Sequence, residues 1–235
     1  MKRDYFISVA MATYNGEKYI KEQLESILLQ LENQDEVIVS DDGSTDHTLK
    51  IIESLNDQRI KILKGPRNGV KQNFAHALSF CKGKYIFLSD QDDIWLENKV
   101  KHLLTCFEEK KCDCITHNCD VVNYNHSEVL IESFFDYRKS KPGILSNIYK
   151  NKYLGCCMAF KNEMLKSILP IPNSIEMHDQ WIGLICEKFG TSIFLDKKLI
   201  HYRRHDDNVS QMKHYPLLKM IKNRVVLIQQ FIKRR

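Results

Sequence analysis

The sequence predicts an α/β protein built on a mainly parallel sheet with helices on both faces. Strand-like and helix-like segments alternate through the first half with short connections, and 6–12 and 85–89 are apolar runs that read as buried strands. Each of the principal strands is followed by a polar loop, which is where open sheets of this kind bind ligands.

In chain order, 6–12 is the first strand. Residues 17–31 repeat Tyr19, Ile20, Leu24, Ile27, Leu28 and Leu31 at helical spacing, and 36–40 is the second strand. Residues 46–55 read as a helix, with Asp46 suited to start it. A short strand at 60–63, a helix at 69–80 and a strand at 85–89 follow, then a helix beginning near Leu96 and a strand over 113–122. That order implies right-handed crossovers. The stretch 123–172 is less readable, and its Phe134, Phe135 and Tyr137, with Lys139 and Lys141, suit either a mobile binding loop or a surface excursion.

At 235 residues the chain can bury one substantial core, and 43% hydrophobic with 28% charged residues is ordinary globular composition. Seven of its 35 bases (Lys213, Lys219, Lys222, Arg224, Lys233, Arg234 and Arg235) lie in 213–235 beside no acid, so the other 28 face all 30 acids and net −2. The body is therefore no nucleic-acid surface, and the expected organisation is a catalytic domain over 1–212 followed by a basic helix over 213–235. No signal core or long apolar span is present, so a cytoplasmic protein, peripheral at most on the inner face of the membrane, is expected. Eight cysteines without a CxxC pair suit reduced thiols. Cys112, Cys114, His117 and Cys119 crowd together, yet their spacing fits no usual zinc pattern and suits a strand better.

The chemistry concentrates at the strand ends. Residues 85–93 deliver Asp90, Asp92 and Asp93 after an apolar strand, and clustered carboxylates repel unless protons or a hard divalent cation relieve them. Mg2+ or Mn2+ bridging a diphosphate suits such a site. One Asp would suffice to cap the following helix, which leaves the others unexplained by capping. Thr13-Tyr14-Asn15-Gly16 and Asp41-Asp42-Gly43-Ser44-Thr45-Asp46 add two more polar loops, with paired carboxylates able to accept from ribose hydroxyls or base N–H groups. Neither GxGxxG nor GxxxxGK[ST] occurs, so phosphate charge must be met by metal and by Arg or Lys.

The segments 8–16, 37–46, Asn68-Gly-Val-Lys-Gln-Asn73 and Phe87-Leu-Ser-Asp-Gln-Asp-Asp-Ile-Trp95 together resemble the nucleotide-sugar half of family 2 glycosyltransferases with the GT-A fold. The Asp-Gln-Asp-Asp-Ile-Trp form resembles the rhamnosyltransferase-like members that build bacterial surface polysaccharides. The resemblance covers about 5–205 and implies an inverting, metal-dependent transfer from a UDP- or dTDP-sugar to a saccharide or lipid-linked oligosaccharide acceptor. By matched position, Thr13, Asn15, Asp41 and Asp42 face the base and ribose, Lys71 lies on the donor side, and Asp90 with Asp92 forms the DxD motif. Met177-His-Asp-Gln-Trp181 implies Asp179 as catalytic base. The 201–208 segment implies Asp92 and His205 as metal ligands and Arg203 or Arg204 at the diphosphate. Asp206-Asp207 departs from the small residues usual there, leaving both arginines open.

Several readings remain balanced. Asp179 also suits a helix N-terminal acid, and Trp95, Trp181 and Tyr14 suit either sugar stacking or core. The tail places Leu217, Leu218, Ile221, Val225, Ile228 and Ile232 on one helical face with bases elsewhere, fit for an anionic leaflet or for packing on the body or a second subunit in a homodimer. An inactive sugar-nucleotide binding module and another metal-dependent nucleotide-using enzyme are the competing classes.

Overall fold

A computed structural model describes residues 5–205, 208 and 216–234. Its first half is the expected alternation: β1 (Ile7–Thr13), α1 (Ile20–Leu28), β2 (Glu36–Asp41), α2 (Thr48–Ser54), β3 (Ile60–Lys64), α3 (Val70–Phe80) and β4 (Tyr85–Ser89). The order β3-β2-β1-β4 is parallel throughout, with Val9 opposite both Val37 and Phe87. All seven residues of β1 are buried because helices cover both faces. Ile7, Val9 and Met11 join α1 on one side, while Ala10 and Ala12 face Phe74, Ala77 and Leu78 of α3 on the other. Each large apolar side chain so buried stabilises the fold by roughly 1.5–3 kcal/mol.

Beyond β4 the chain departs from simple alternation. Two residues of β5 (Ile94–Trp95) precede α4 (Lys99–Lys110), so the helix starts three residues later than its apolar pattern indicates. Asn98, in the left-handed region at φ 63°, occupies its N-cap, and Asp90–Asp93 therefore serve no capping role there. Next come β6 (Cys114–Val122), β7 (Val129–Ile131), α5 (Phe134–Arg138), α6 (Ile144–Tyr149), β8 (Met158–Lys161), α7 (Leu165–Ile168), α8 (His178–Phe189) and β9 (Ser192–Arg203). Strand β8 lies antiparallel between β4 and β6, β9 runs parallel to β6, and β5 pairs antiparallel with β9. The end of β9 thereby comes beside the aspartate loop that follows β4, where the Arg203 N–H donates to Asp93 Oδ1. Phe135 of α5 is buried against Phe194.

Among the described cysteines none is in a disulfide, and all eight are buried. Cys112 and Cys119 belong to one core cluster and Cys114 to the other, which separates that group across the sheet. The last helix, α9 (Leu217–Lys233), packs on the body through Leu227 and Phe231. Lys188 donates to the Phe231 and Arg234 carbonyls, and Arg224 donates to the Tyr149 carbonyl. Among the described residues no helix is long and apolar enough to cross a membrane.

Candidate active site

Thr13 ends β1, Asp41 ends β2 and Asp90 follows β4, so three polar loops open at one edge of the sheet. Hydrogen bonds tie them together. Thr13 Oγ1 donates to Asp41 Oδ2 at 3.0 Å, and Asp41 Oδ1 accepts from the Gly43 and Ser44 N–H groups at 3.0 and 2.8 Å. Asn15, held at φ 48°, accepts from the Thr45 N–H at 2.8 Å. Gln91 exchanges two bonds with the Tyr14 backbone at 2.9 and 3.0 Å, joining the first loop to the aspartate loop. Asp42 turns the other way: its carboxylate accepts from the Arg67 and Gly69 N–H groups at 2.6 and 2.8 Å. Gly69, at φ 77°, supplies the turn into α3 that a side chain would strain.

The aspartates divide into two settings. Asp92 Oδ2 lies 2.8 Å from His205 Nε2, and the Asn208 amide approaches the same oxygen at 3.3 Å. His205 is brought there by the end of β9, and its ring lies 4.5 Å from that of Tyr19. Asp90 and Asp93 instead share a recess with the Cys156 thiol, all three ligand atoms lying within 4.8 Å of one another. Asp93 is fully buried: Oδ1 accepts from the Arg203 N–H at 3.1 Å, while buried Oδ2 accepts no hydrogen bond. Burial, reinforced by the charges of Asp92 and Asp179, pushes Asp90 up to about 7, and burial with Asp92 holds Asp93 well above the usual carboxylate range.

Asp179 lies on the first turn of α8. Asn151 Nδ2 sits 3.2 Å from both its oxygens, and the Gln180 N–H donates to Oδ1 at 2.6 Å. Burial raises its carboxyl to about 6, against the lowering effect of those hydrogen bonds. A Cβ added at Gly155, the residue before Cys156, would stand 3.7 Å from the Asp179 Cβ, so the helix acid lies beside the turn that carries Cys156 to Asp90 and Asp93. Neighbouring His178 stacks on Phe74 at 4.1 Å and is pulled down to about 3 by burial.

Other expected residues are engaged elsewhere. Arg203 is buried, with its guanidinium 2.6 Å from Glu22 Oε2, 3.1 Å from the Tyr124 carbonyl and 4.7 Å over the Tyr19 ring. Arg204 is half-buried and bonds Val122 through its backbone N–H at 2.8 Å. The Lys71 amine binds the Asn173 carbonyl at 2.8 Å and the Ile175 carbonyl, clamping α3 to the segment before α8. Trp181 is core, donating to the Ile168 carbonyl, and Trp95 is core as well, whereas Tyr14 is exposed at the loop. Asp206, Asp207, Lys213 and Arg235 lie outside the described residues.

Three participants have no role in the sequence reading. Asn151 has no local signature. Cys156 sits in the 3-10 turn Gly155–Cys157, next to β8. Lys99 is buried under the aspartate loop, donating to the Cys156 carbonyl at 3.0 Å and lying 4.2 Å over the Trp95 ring, and burial pulls its amine down to about 8. Its spacing to Leu103 and Phe107, at four-residue steps on the apolar face of α4, is the signal that marks it as inward.

A parallel half-sheet with carboxylates at its open lip, extended by mixed strands that return a histidine to those carboxylates, defines a glycosyltransferase of the GT-A fold. The sequence profile of Glycosyl transferase family 2 matches residues 8–169, and the chain belongs to that family. It is 30% identical to the dTDP-rhamnosyl transferase RfbG of Shigella flexneri, over 91% of this chain and 80% of the relative. It is 24% identical to the UDP-Glc:alpha-D-GlcNAc-diphosphoundecaprenol beta-1,3-glucosyltransferase WfgD of Escherichia coli, over 92% and 90%. The crystal structure of S. aureus TarS 1-349 in complex with UDP-GlcNAc superposes with a TM-score of 0.72 at 22% identity, spanning 95% of this chain and 66% of that longer one.

Proposed function

We propose that the protein transfers a hexosyl or deoxyhexosyl group from a UDP- or dTDP-sugar to a saccharide acceptor carried on lipid, with inversion, in the synthesis of a surface polysaccharide. The observation that carries this reading is the joining of the Thr13, Asp41 and Asp90–Asp93 loops at one lip of the sheet, where the end of β9 sets His205 against Asp92. The named activities of the rhamnosyl and glucosyl transferase relatives support the donor and acceptor classes.

Thr13, Asn15 and Asp41 form the wall proposed for the base and ribose, with Asp42 keeping that wall in shape through the Arg67 and Gly69 N–H groups. Asp92 and His205 supply one hard oxygen and one imidazole nitrogen at close range, and this donor pair would hold Mn2+ or Mg2+. When bound there, the cation offsets the negative charge that grows on the leaving diphosphate. The diphosphate is assigned to the arginine pair at the end of β9, Arg203 and Arg204, the Arg203 guanidinium lying against Glu22 and the Tyr124 carbonyl. Asp179, ionised, accepts the acceptor hydroxyl proton as that oxygen bonds the anomeric carbon and the bond to the diphosphate breaks. Its electron pair leaves with the nucleoside diphosphate. Attack opposite the leaving group inverts the anomeric centre.

The test is a thermal-shift screen of UDP- and dTDP-sugars with and without Mn2+, followed by acceptor-dependent release of nucleoside diphosphate with the stabilising donor. A cation-dependent shift and a product of inverted configuration are expected. Binding without transfer to any saccharide acceptor would reduce the chain to a binding module, and a retained configuration would remove the single-displacement role of Asp179.

A further inference from the structure

Helix α9 is fastened to the body by its less apolar side. Leu227 is its buried residue, Phe231 packs beside it, Asn223 donates to Glu176 at 2.6 Å, and Arg224 reaches the Tyr149 carbonyl. The apolar stripe that would ordinarily be turned inward is left on the outside. Leu217, Leu218, Ile221, Val225, Ile228 and Ile232 are all exposed, Leu217 at 72% and Leu218 at 83%. At 3.6 residues per turn they occupy an arc of about 100°. The stripe is continued on neighbouring α6 by Leu145 and Tyr149, exposed at 84% and 74%.

The charges beside this surface are of one sign. Lys222 and Lys233 are exposed next to the stripe, Lys219 follows on the same flank, and residues 217–234 contain no acid. An apolar strip bordered by lysines, with a tyrosine at its margin, has the chemistry of a helix lying in an anionic lipid interface. A second copy could lay the same strip against this one, but only by bringing the flanking lysines of both copies together, whereas an anionic leaflet meets both the strip and the lysines.

The position of the strip relative to the site is informative. Tyr149, whose carbonyl holds Arg224, lies two residues before Asn151, whose amide holds Asp179. Gln180, beside Asp179, donates to the Asn147 carbonyl of α6 at 2.7 Å. One continuous set of contacts therefore runs from the exposed face to the acid assigned to the acceptor.

We propose that the outward face of α9, with Leu145 and Tyr149 of α6, docks on an anionic lipid bilayer and lays the Asp179 side of the site toward the membrane that carries the acceptor. The acceptor clause rests on the function proposed above; the docking itself does not.

Co-sedimentation of the full chain with phosphatidylcholine vesicles, with and without phosphatidylglycerol, tests it. The protein should pellet with the anionic vesicles, bind less as salt rises, and remain in solution with pure phosphatidylcholine. Leu218→Glu/Ile221→Glu, at exposed positions, should lower partitioning by at least about tenfold, and Lys222→Glu/Lys233→Glu should abolish the preference for anionic lipid. No pelleting by the wild type, or equal pelleting by the Leu218/Ile221 variant, overturns the proposal, as does a sedimentation-velocity result in which that variant converts a dimer to a monomer. Transfer to a water-soluble saccharide should be unchanged in both variants. Loss of that transfer in the wild type, with vesicle binding intact, counts against the enzymatic reading and not against docking.

Discussion

Asp92 and His205, 113 residues apart in the chain, meet with Oδ2 and Nε2 at 2.8 Å. In the proposed function this hydrogen-bonded pair supplies the ligands of the divalent cation, and that role is testable. His205→Ala should raise the Mn2+ concentration for half-maximal transfer by about tenfold or more, while the Asp90–Asp93 recess stays intact. Cation titration of the transfer rate measures it. An unchanged titration curve would remove His205 from the metal site.

Asp179→Asn should leave the Kd for donor with Mn2+ nearly unaltered and lower kcat by at least about 10²-fold, the modest end of general-base catalysis. The wild-type pH profile follows from the raised carboxyl. A base works ionised, so kcat/KM should fall as pH drops through about 6, the value to which burial pushes Asp179. The residual rate of the variant should lack that acidic limb, and a limb that persists would assign it to another group.

The same burial has an opposite sign for stability. Asp179 holds its proton more tightly folded than unfolded, so its contribution is present at low pH and is lost as pH rises from about 4 toward about 6. A neutral amide avoids that loss and can still accept from Asn151. Asp179→Asn is therefore expected to unfold at a higher urea midpoint than the wild type at pH 8, by about 1–3 kcal/mol, with the difference vanishing below pH ~4. Equal midpoints at pH 8 would mean that the ionised carboxylate is well solvated.

The parallel half of the fold and its three loops are legible because each depends on residues close in sequence: an apolar run, then a turn, then a helix. Asn151, Cys156 and Lys99 reach the recess from segments whose course is set by β8 wedged antiparallel between β4 and β6, a pairing that no local pattern announces. Arg203 illustrates the same limit, since its match to a phosphate-facing position says nothing of Glu22 waiting 2.6 Å away. In α9 the amphipathic pattern identifies a face but not its direction, because packing through Leu227 requires only one or two apolar contacts and a few capped carbonyls.

Lys99 supplies the only charge of its sign that the aspartate recess receives from α4's buried face. Lys99→Met keeps the stem but leaves the Cys156 carbonyl unbonded and Asp93 without its nearby cation. A loss of about 1–3 kcal/mol is expected, seen as a lower urea midpoint with an unchanged slope. An unaltered midpoint would show that the buried amine is dispensable.

Gly16 leaves room for the bridge between the first loop and the aspartate loop. A Cβ there would come 2.5 Å from Gln91 Oε1, the atom that accepts from the Tyr14 N–H. Gly16→Ala must therefore displace Gln91 and break its reciprocal bonds, while Gln91→Ala removes the bonds but opens the space. Each single variant should weaken Mn2+-dependent UDP or dTDP binding several-fold, about 1 kcal/mol in calorimetry. The double variant should bind no worse than Gln91→Ala, because the added methyl then meets nothing it can displace. A strictly additive double loss would mean that Gly16 acts through its own backbone and not through Gln91.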